Sequence, residues 1–139
     1  MIRRNRKGRF RLRPASPWPF DSLYIDVFSV AAALKDPKEL FHSVAESGVK
    51  AKLVIDAWSE THMGLARRYL RLCEEHGLDC VLSETKPAEI YAVELCEAEC
   101  SGNCAVVTRD YDAALRANKC AVLLFQRGRF WAVEVVSSP

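Results

Sequence analysis

Between residues 23 and 125, short apolar segments alternate with stretches of helical period, and few folds accommodate that alternation. Strands are expected at 23–28, 52–56, 79–82, 104–108 and 120–125, and helices at 37–47, 60–76, 87–100 and 112–118. The 60–76 segment carries Met63, Leu65, Ala66, Tyr69, Leu70 and Cys73 as one stripe and stops at His76-Gly77. Strands separated by helices pair in parallel, with helices covering both faces. The expected fold is therefore a three-layer α/β/α sandwich around a mainly parallel sheet of about five strands. Gln126-Arg127-Gly128-Arg129 followed by 130–136 reads as a C-terminal hairpin.

With 139 residues, half of them hydrophobic, the chain has room for one compact core. The expected division is a basic arm with a Pro-rich linker over 1–22 and a single domain over 23–139. No apolar run reaches the length of a membrane span, so no membrane partner is expected. The N-terminus lacks the apolar core of a secretory signal, and the expected location is cytoplasmic.

The net charge of +2 conceals a strong asymmetry. Arg3, Arg4, Arg6, Lys7, Arg9, Arg11 and Arg13 put seven positive charges in the first 13 residues. The remainder has 13 basic and 18 acidic residues, a balance of about −5. These seven cations are the candidate contacts to a nucleic acid, whose phosphates release counterions when neutralised. The competing reading is a solvated tail, or one that docks on the body's own acidic face. The prolines of Pro14-Ala15-Ser16-Pro17-Trp18-Pro19 exclude helix and suggest a semi-rigid linker.

Carboxylates sit at the ends of the apolar segments. Asp26 lies inside Leu23–Phe28, Asp56 ends Lys52–Asp56, Glu89 opens a helix after Pro87, and Asp110 and Asp112 follow Ala105–Arg109. Burying a carboxylate is costly unless it is paired or binds a cation. In an open parallel sheet, ligands collect at the carboxyl ends of the strands. These five residues are thus the candidate catalytic set, and hard oxygen-seeking cations suit them. Each also has an ordinary structural reading. Asp112 suits a helix cap, Asp110 a turn and Glu89 a first helical turn, while Asp56 suits a partnership with Lys52 or a backbone amide.

Order and spacing also point to a known family. Lys86-Pro87-Ala88-Glu89 and Ala105-Val106-Val107-Thr108-Arg109-Asp110-Tyr111-Asp112-Ala113-Ala114-Leu115 resemble the nuclease core of PIN-like domains. The flap endonuclease branch is the nearest in motif, with its Pro-x-Glu helix start and its strand ending in Asp-Tyr-Asp. Val54-Ile55-Asp56 resembles that branch's second strand, and Glu74-Glu75-His76-Gly77-Leu78-Asp79-Cys80-Val81 its helix-Gly-strand passage. The resemblance implies a PIN-like fold and a two-metal phosphodiesterase centre loaded with Mg²⁺ or Mn²⁺, acting on RNA or structured DNA. It assigns Asp26, Glu89 and Asp110 to one ion, Asp112 to the second and Asp56 to orienting water. Tyr91 stands where the branch has a second glutamate, with Glu94 and Glu97 further along the same helix. Ser59-Glu60 follow Asp56 too closely for the branch's long arch, so flap specificity is not implied. The alternative is a catalytically reduced PIN-like module that binds nucleic acid or a protein partner. A homodimer is a further arrangement open to either.

Cys73, Cys80, Cys96, Cys100, Cys104 and Cys120 are expected mainly as inert buried thiols, with disulfides or a metal site as alternatives. Trp58, beside Asp56, is either a stacking platform for a base or a cover over the sheet edge. Arg127, Arg129, Phe130 and Trp131 are expected as solvated arginines and strand core.

Overall fold

A computed structural model describes residues 1–136. All five expected strands form the parallel centre of the sheet: β3 (Ser22–Asp26), β4 (Lys50–Asp56), β5 (Asp79–Ser83), β6 (Cys104–Thr108) and β7 (Ala121–Gln126). Their buried, nearly continuous apolar runs suit strands covered on both faces. The C-terminal hairpin also forms. β8 (Arg129–Val135) returns antiparallel to β7 through Arg127 and Gly128, both at positive φ (54° and 73°), as a tight two-residue hairpin requires.

The sheet is nevertheless larger than five strands, because the expected arm belongs to it. β1 (Ile2–Asn5) and β2 (Gly8–Pro14) form a hairpin, and β2 pairs antiparallel with β8. The complete order is β1-β2-β8-β7-β6-β3-β4-β5. The cause lies in Arg9-Phe10-Arg11-Leu12-Arg13, where charged and apolar residues alternate with the two-residue period of a strand. Phe10 and Leu12 are buried on one face while Arg11 and Arg13 stay exposed on the other. The proline stretch is also anchored: Pro17 is buried, the Ala15 amide donates to the Phe130 carbonyl, and Trp18 meets the Phe130 ring edge-on.

Helices α1 (Val27–Ala31), α2 (Lys38–Ser47) and α3 (Glu60–Glu75) cover one face of the sheet. They pack Val30, Phe41, Val44, Tyr69 and Cys73 onto Leu23, Ile25, Leu53, Ile55 and Val107. Helices α4 (Ala88–Glu99) and α5 (Asp112–Arg116) cover the other face, with Ala92, Val93, Cys96 and Ala113 over Tyr24, Val54 and Val106. The α/β/α layering therefore holds. Two local expectations shift. The strand expected over 23–28 stops at Asp26, and Val27 begins α1. In α3 the stripe is narrower, with Ala66, Tyr69, Leu72 and Cys73 buried but Leu65 exposed.

The cysteines are paired rather than free. Cys73–Cys80 ties the end of α3 to β5, Cys96–Cys120 ties α4 to the start of β7, and Cys100–Cys104 closes the turn between α4 and β6. No free cysteine occurs among the described residues, which replaces the expected inert thiols. No helix among them is long and apolar enough to cross a membrane.

Candidate acidic centre at the strand ends

The chain runs from β3 to β4 and β5 on one side, then returns through α4 to β6 on the other side of β3. The crevice between the carboxyl ends of β3 and β6 is thus a topological switch point, the usual binding position in an open α/β sheet. Asp26 ends β3 there, only 1% exposed. Its Oδ2 accepts hydrogen bonds from Ser29 Oγ at 2.6 Å and from Thr108 Oγ1, at the end of β6, at 2.8 Å. Its buried Oδ1 has no hydrogen-bond partner among the described residues. Burial pushes the carboxyl up to about 6, the two hydroxyls pull against that, and Asp56 adds a further upward push.

Asp56 ends β4 and is buried. Its Oδ1 accepts from Trp58 Nε1 at 2.9 Å and from the Ala88 backbone N–H at 2.8 Å. The backbone-amide partner is therefore realised, whereas Lys52 pairs with Glu99 instead. By fixing the first residue of α4, Asp56 also sets the position of Glu89 in that helix's first turn. Glu89 is half-buried and pushed up to about 7, first by burial and then by the charges of Asp26, Asp110 and Asp56, against a backbone hydrogen bond. Those couplings place Asp26, Asp56, Glu89 and Asp110 in one electrostatic neighbourhood.

Asp110 follows β6. Its N–H donates to Thr108 Oγ1 and its Oδ1 accepts from the Asp112 N–H at 2.9 Å, so it does shape the turn into α5. Burial works to raise its pKa, but the Lys7 ammonium and the Asp112 amide outweigh it, and the carboxyl lies below its ordinary value. Lys7 Nζ is 2.6 Å from Asp110 Oδ1. Asp112 is the first residue of α5 and pairs with Arg116 at 3.0 Å; the cap position itself belongs to Tyr111. Glu94 pairs with Lys86, while Glu97 accepts the backbone N–H groups of Asn118, Lys119 and Cys120. Both are engaged away from the centre.

The donors match a hard cation in type, since all are carboxylate oxygens, and Asp26 Oδ1 is a buried acceptor without a hydrogen-bond partner among the described residues. The set is not closed, however. Among the described residues, no group of three or more His, Cys, Asp and Glu side chains converges so as to hold a metal ion. Asp110 Oδ1 is instead paired with the Lys7 ammonium, and Glu89 hydrogen-bonds Asp110.

The remaining candidates take separate places. Arg4, Arg9, Arg11 and Arg13 share one face of the β1–β2 hairpin, with Arg11 and Arg13 on Glu134; Arg3 lies on the opposite face with Phe10, and Arg6 is in the exposed turn. Trp58 is 45% exposed and sits 5.0 Å from the His62 ring. Trp131 donates to the Gln126 carbonyl as a partly buried strand residue. A separate cleft of about 580 Å³ opens at the amino ends of the strands against Tyr24, Lys52, Asp79 and Glu99, and none of the five carboxylates lines it. Sequence reasoning missed Ser29 and Thr108 as the hydroxyls that hold Asp26. The signal for Thr108 was a lone hydroxyl ending an otherwise apolar strand.

No protein-family model matches the chain, and no curated protein matches it. Among solved structures it is similar to the T5 D15 protein, co-crystallised with metal ions, with a TM-score of 0.51 and 11% sequence identity. The alignment covers 79% of this chain and 56% of the other, so this chain spans about half of that protein's length. At that identity the likeness is one of fold.

Proposed function

We propose that the chain is a PIN-like, metal-dependent nuclease that hydrolyses phosphodiester bonds of RNA or structured DNA. The observation that carries this reading is Asp26 Oδ1, a buried carboxylate oxygen at the switch point without a partner among the described residues, together with Glu89, which the charges of Asp26, Asp110 and Asp56 act on. Folding does not retain such a group cheaply, and a bound cation would offset its cost. Asp26, Glu89 and Asp110 would hold Mg²⁺ or Mn²⁺, with Asp112 beside them. When bound, the ion would supply Lewis-acid stabilisation of the phosphoryl and leaving oxygens. Asp56, held by Trp58 and the Ala88 amide, orients α4 and so aims Glu89. A carboxyl that titrates near 7, as Glu89 does, can take or give a proton at neutral pH. The fold shared with a protein crystallised with metal ions supports the same reading, as does the motif resemblance to the flap endonuclease branch.

A second reading is a catalytically reduced module that binds nucleic acid or a protein. It is favoured by Tyr91 in place of the second glutamate and by the open ligand set. Cleavage of labelled single-stranded RNA, single-stranded DNA and flapped DNA with Mn²⁺ separates the two. The nuclease reading expects metal-dependent cleavage that falls by about a hundredfold or more in Asp26→Asn and in Glu89→Gln. Tight binding without cleavage would establish the reduced module instead.

A further inference from the structure

We infer that the Trp58 ring is a stacking surface for one unpaired base, so that the nucleic acid taken up beside the acidic centre is single-stranded where it crosses that ring. The inference rests on the nucleic-acid side of the reading above and specifies the substrate class.

Trp58 is 45% exposed, although an aromatic ring of that size gains much from burial. The exposed ring is nevertheless held in place. Its Nε1 donates to Asp56 Oδ1 at 2.9 Å, which fixes the polar edge of the indole on the carboxylate that ends β4. The ring also lies 5.0 Å from that of His62, tilted by 50°. His62 in turn meets Phe28 edge-on at 5.3 Å, and Phe28 meets the buried Tyr69 edge-on at 5.2 Å. Ser59 Oγ lies 2.7 Å from His62 Nδ1 and steadies the imidazole. A row of rings therefore runs outward from Tyr69 in the core, and Trp58 is its outermost member. A side chain already immobilised loses little rotamer freedom when a ligand covers it, so most of the stacking free energy remains available for binding.

The position of the ring selects its ligand. Asp56 Oδ1 accepts from both the Trp58 indole and the Ala88 amide, the first residue of the helix that carries Glu89. One carboxylate oxygen thus fixes both the ring and the helix that aims Glu89. A nucleotide suits that pairing, because it offers a flat π-face to the indole and a phosphodiester to the centre. In a duplex both faces of a base are covered by its neighbours, so a base that stacks on Trp58 is unpaired or at a strand end. Every base has such a face, and the indole N–H is already engaged by Asp56, which leaves the ring no donor with which to read base identity. Stacking also neutralises no phosphate, so Trp58 contributes affinity that salt does not screen.

The test is fluorescence anisotropy of short labelled RNA and DNA strands, with and without bases, and of blunt duplex, all in EDTA. Native protein is compared with Trp58→Ala and Trp58→Phe, whose folding is checked by Tm. On the single strand that binds, Trp58→Ala should weaken affinity by about 5- to 100-fold, and by the same factor at every salt concentration. Trp58→Phe should stay within about threefold of the native chain, since it keeps a ring and loses the hydrogen bond to Asp56. Abasic strands and duplex should bind the native chain and Trp58→Ala alike. Equal binding of the single strand by the native chain and Trp58→Ala would overturn the inference and leave the nuclease reading standing. So would an equal loss on abasic strands, or a loss in Trp58→Phe as large as in Trp58→Ala, which would trace the effect to the support of Asp56. No binding of any strand by the native chain would overturn both the inference and the nucleic-acid reading.

Discussion

Asp26 is buried where its charge is unwelcome, and the energetic consequence can be worked out. Its carboxyl titrates at about 6 in the fold against 3.8 ordinarily, and Glu89 at about 7 against 4.5. Both folded values are raised, so the native state binds more protons than the unfolded state between those limits. The stability these two groups contribute is therefore fully present below about pH 4, is lost as pH rises to about 7 and changes little beyond. Asp110 and Glu97, whose carboxyls are lowered, work in the opposite direction as pH falls. Asp26→Asn keeps an acceptor for Ser29 and Thr108 and removes the charge. It should stabilise the chain at pH 8 by on the order of 1–3 kcal/mol and leave it nearly unchanged at pH 4. Glu89→Gln should act in the same direction with a smaller effect, since that side chain is only half-buried and solvent screens it. Urea denaturation at the two pH values measures both. Mn²⁺ should recover the lost stability of the native chain at pH 8 and do little for Asp26→Asn. Asp26 was legible in the sequence because apolar residues flank it on both sides. Its hydroxyl partner Thr108, 82 residues away, was not, because only the return of the chain to the other side of β3 brings them together.

Elements differed in legibility for a related reason. The five parallel strands are announced by compact apolar runs between helical patterns, and a strand buried on both faces has little other composition available to it. The outer hairpin was obscured by its charge. Seven cations in 13 residues suggest a tail, yet Phe10 and Leu12, set between arginines, carry the period of a half-buried strand. Truncating Phe10 tests whether that hairpin is part of the fold. Phe10→Ala should cost about 3–5 kcal/mol in global stability, because a fully buried aromatic is lost together with its Tyr111 contact. If the hairpin were only an appendage, the urea midpoint would not move. The disulfides were hidden in another way: six cysteines allow 15 pairings, and spacing does not choose among them. Cys96–Cys120 closes the longest loop of the three, with a sequence separation of 24. Replacing both cysteines with alanine should cost about 2–4 kcal/mol. A reducing agent, which opens all three disulfides, should lower Tm by more than that double substitution does. A reducing cytoplasm ordinarily keeps thiols free, intracellular hyperthermophile proteins excepted, so the redox response bears directly on where the chain works.

At the scale of the whole molecule, charge is distributed so that one hairpin serves two polarities. Its tip places Lys7 against the acidic centre, while one face presents Arg4, Arg9, Arg11 and Arg13. Among the described residues, the single acidic residue paired with that face is Glu134 on β8, which meets Arg13 at 2.8 Å and Arg11 at 3.7 Å. On the proposed function, the arginine face holds the phosphate backbone and leaves the centre free to act on one phosphodiester. Each phosphate neutralised by such a residue should contribute about 0.7–0.9 to the slope of log affinity against log salt. Replacing the four arginines with glutamine should therefore flatten the slope for single-stranded nucleic acid by up to about 3. Arg3→Gln, on the opposite face, should alter it by less than one such step. Glu134→Gln should act the other way and tighten binding, because it releases Arg11 and Arg13 from their partner. Fluorescence anisotropy of a labelled oligonucleotide across a salt series measures all three. An unchanged slope in the fourfold variant would mean that these arginines serve only the hairpin's solubility, and that any nucleic acid reaches the carboxylates by another face.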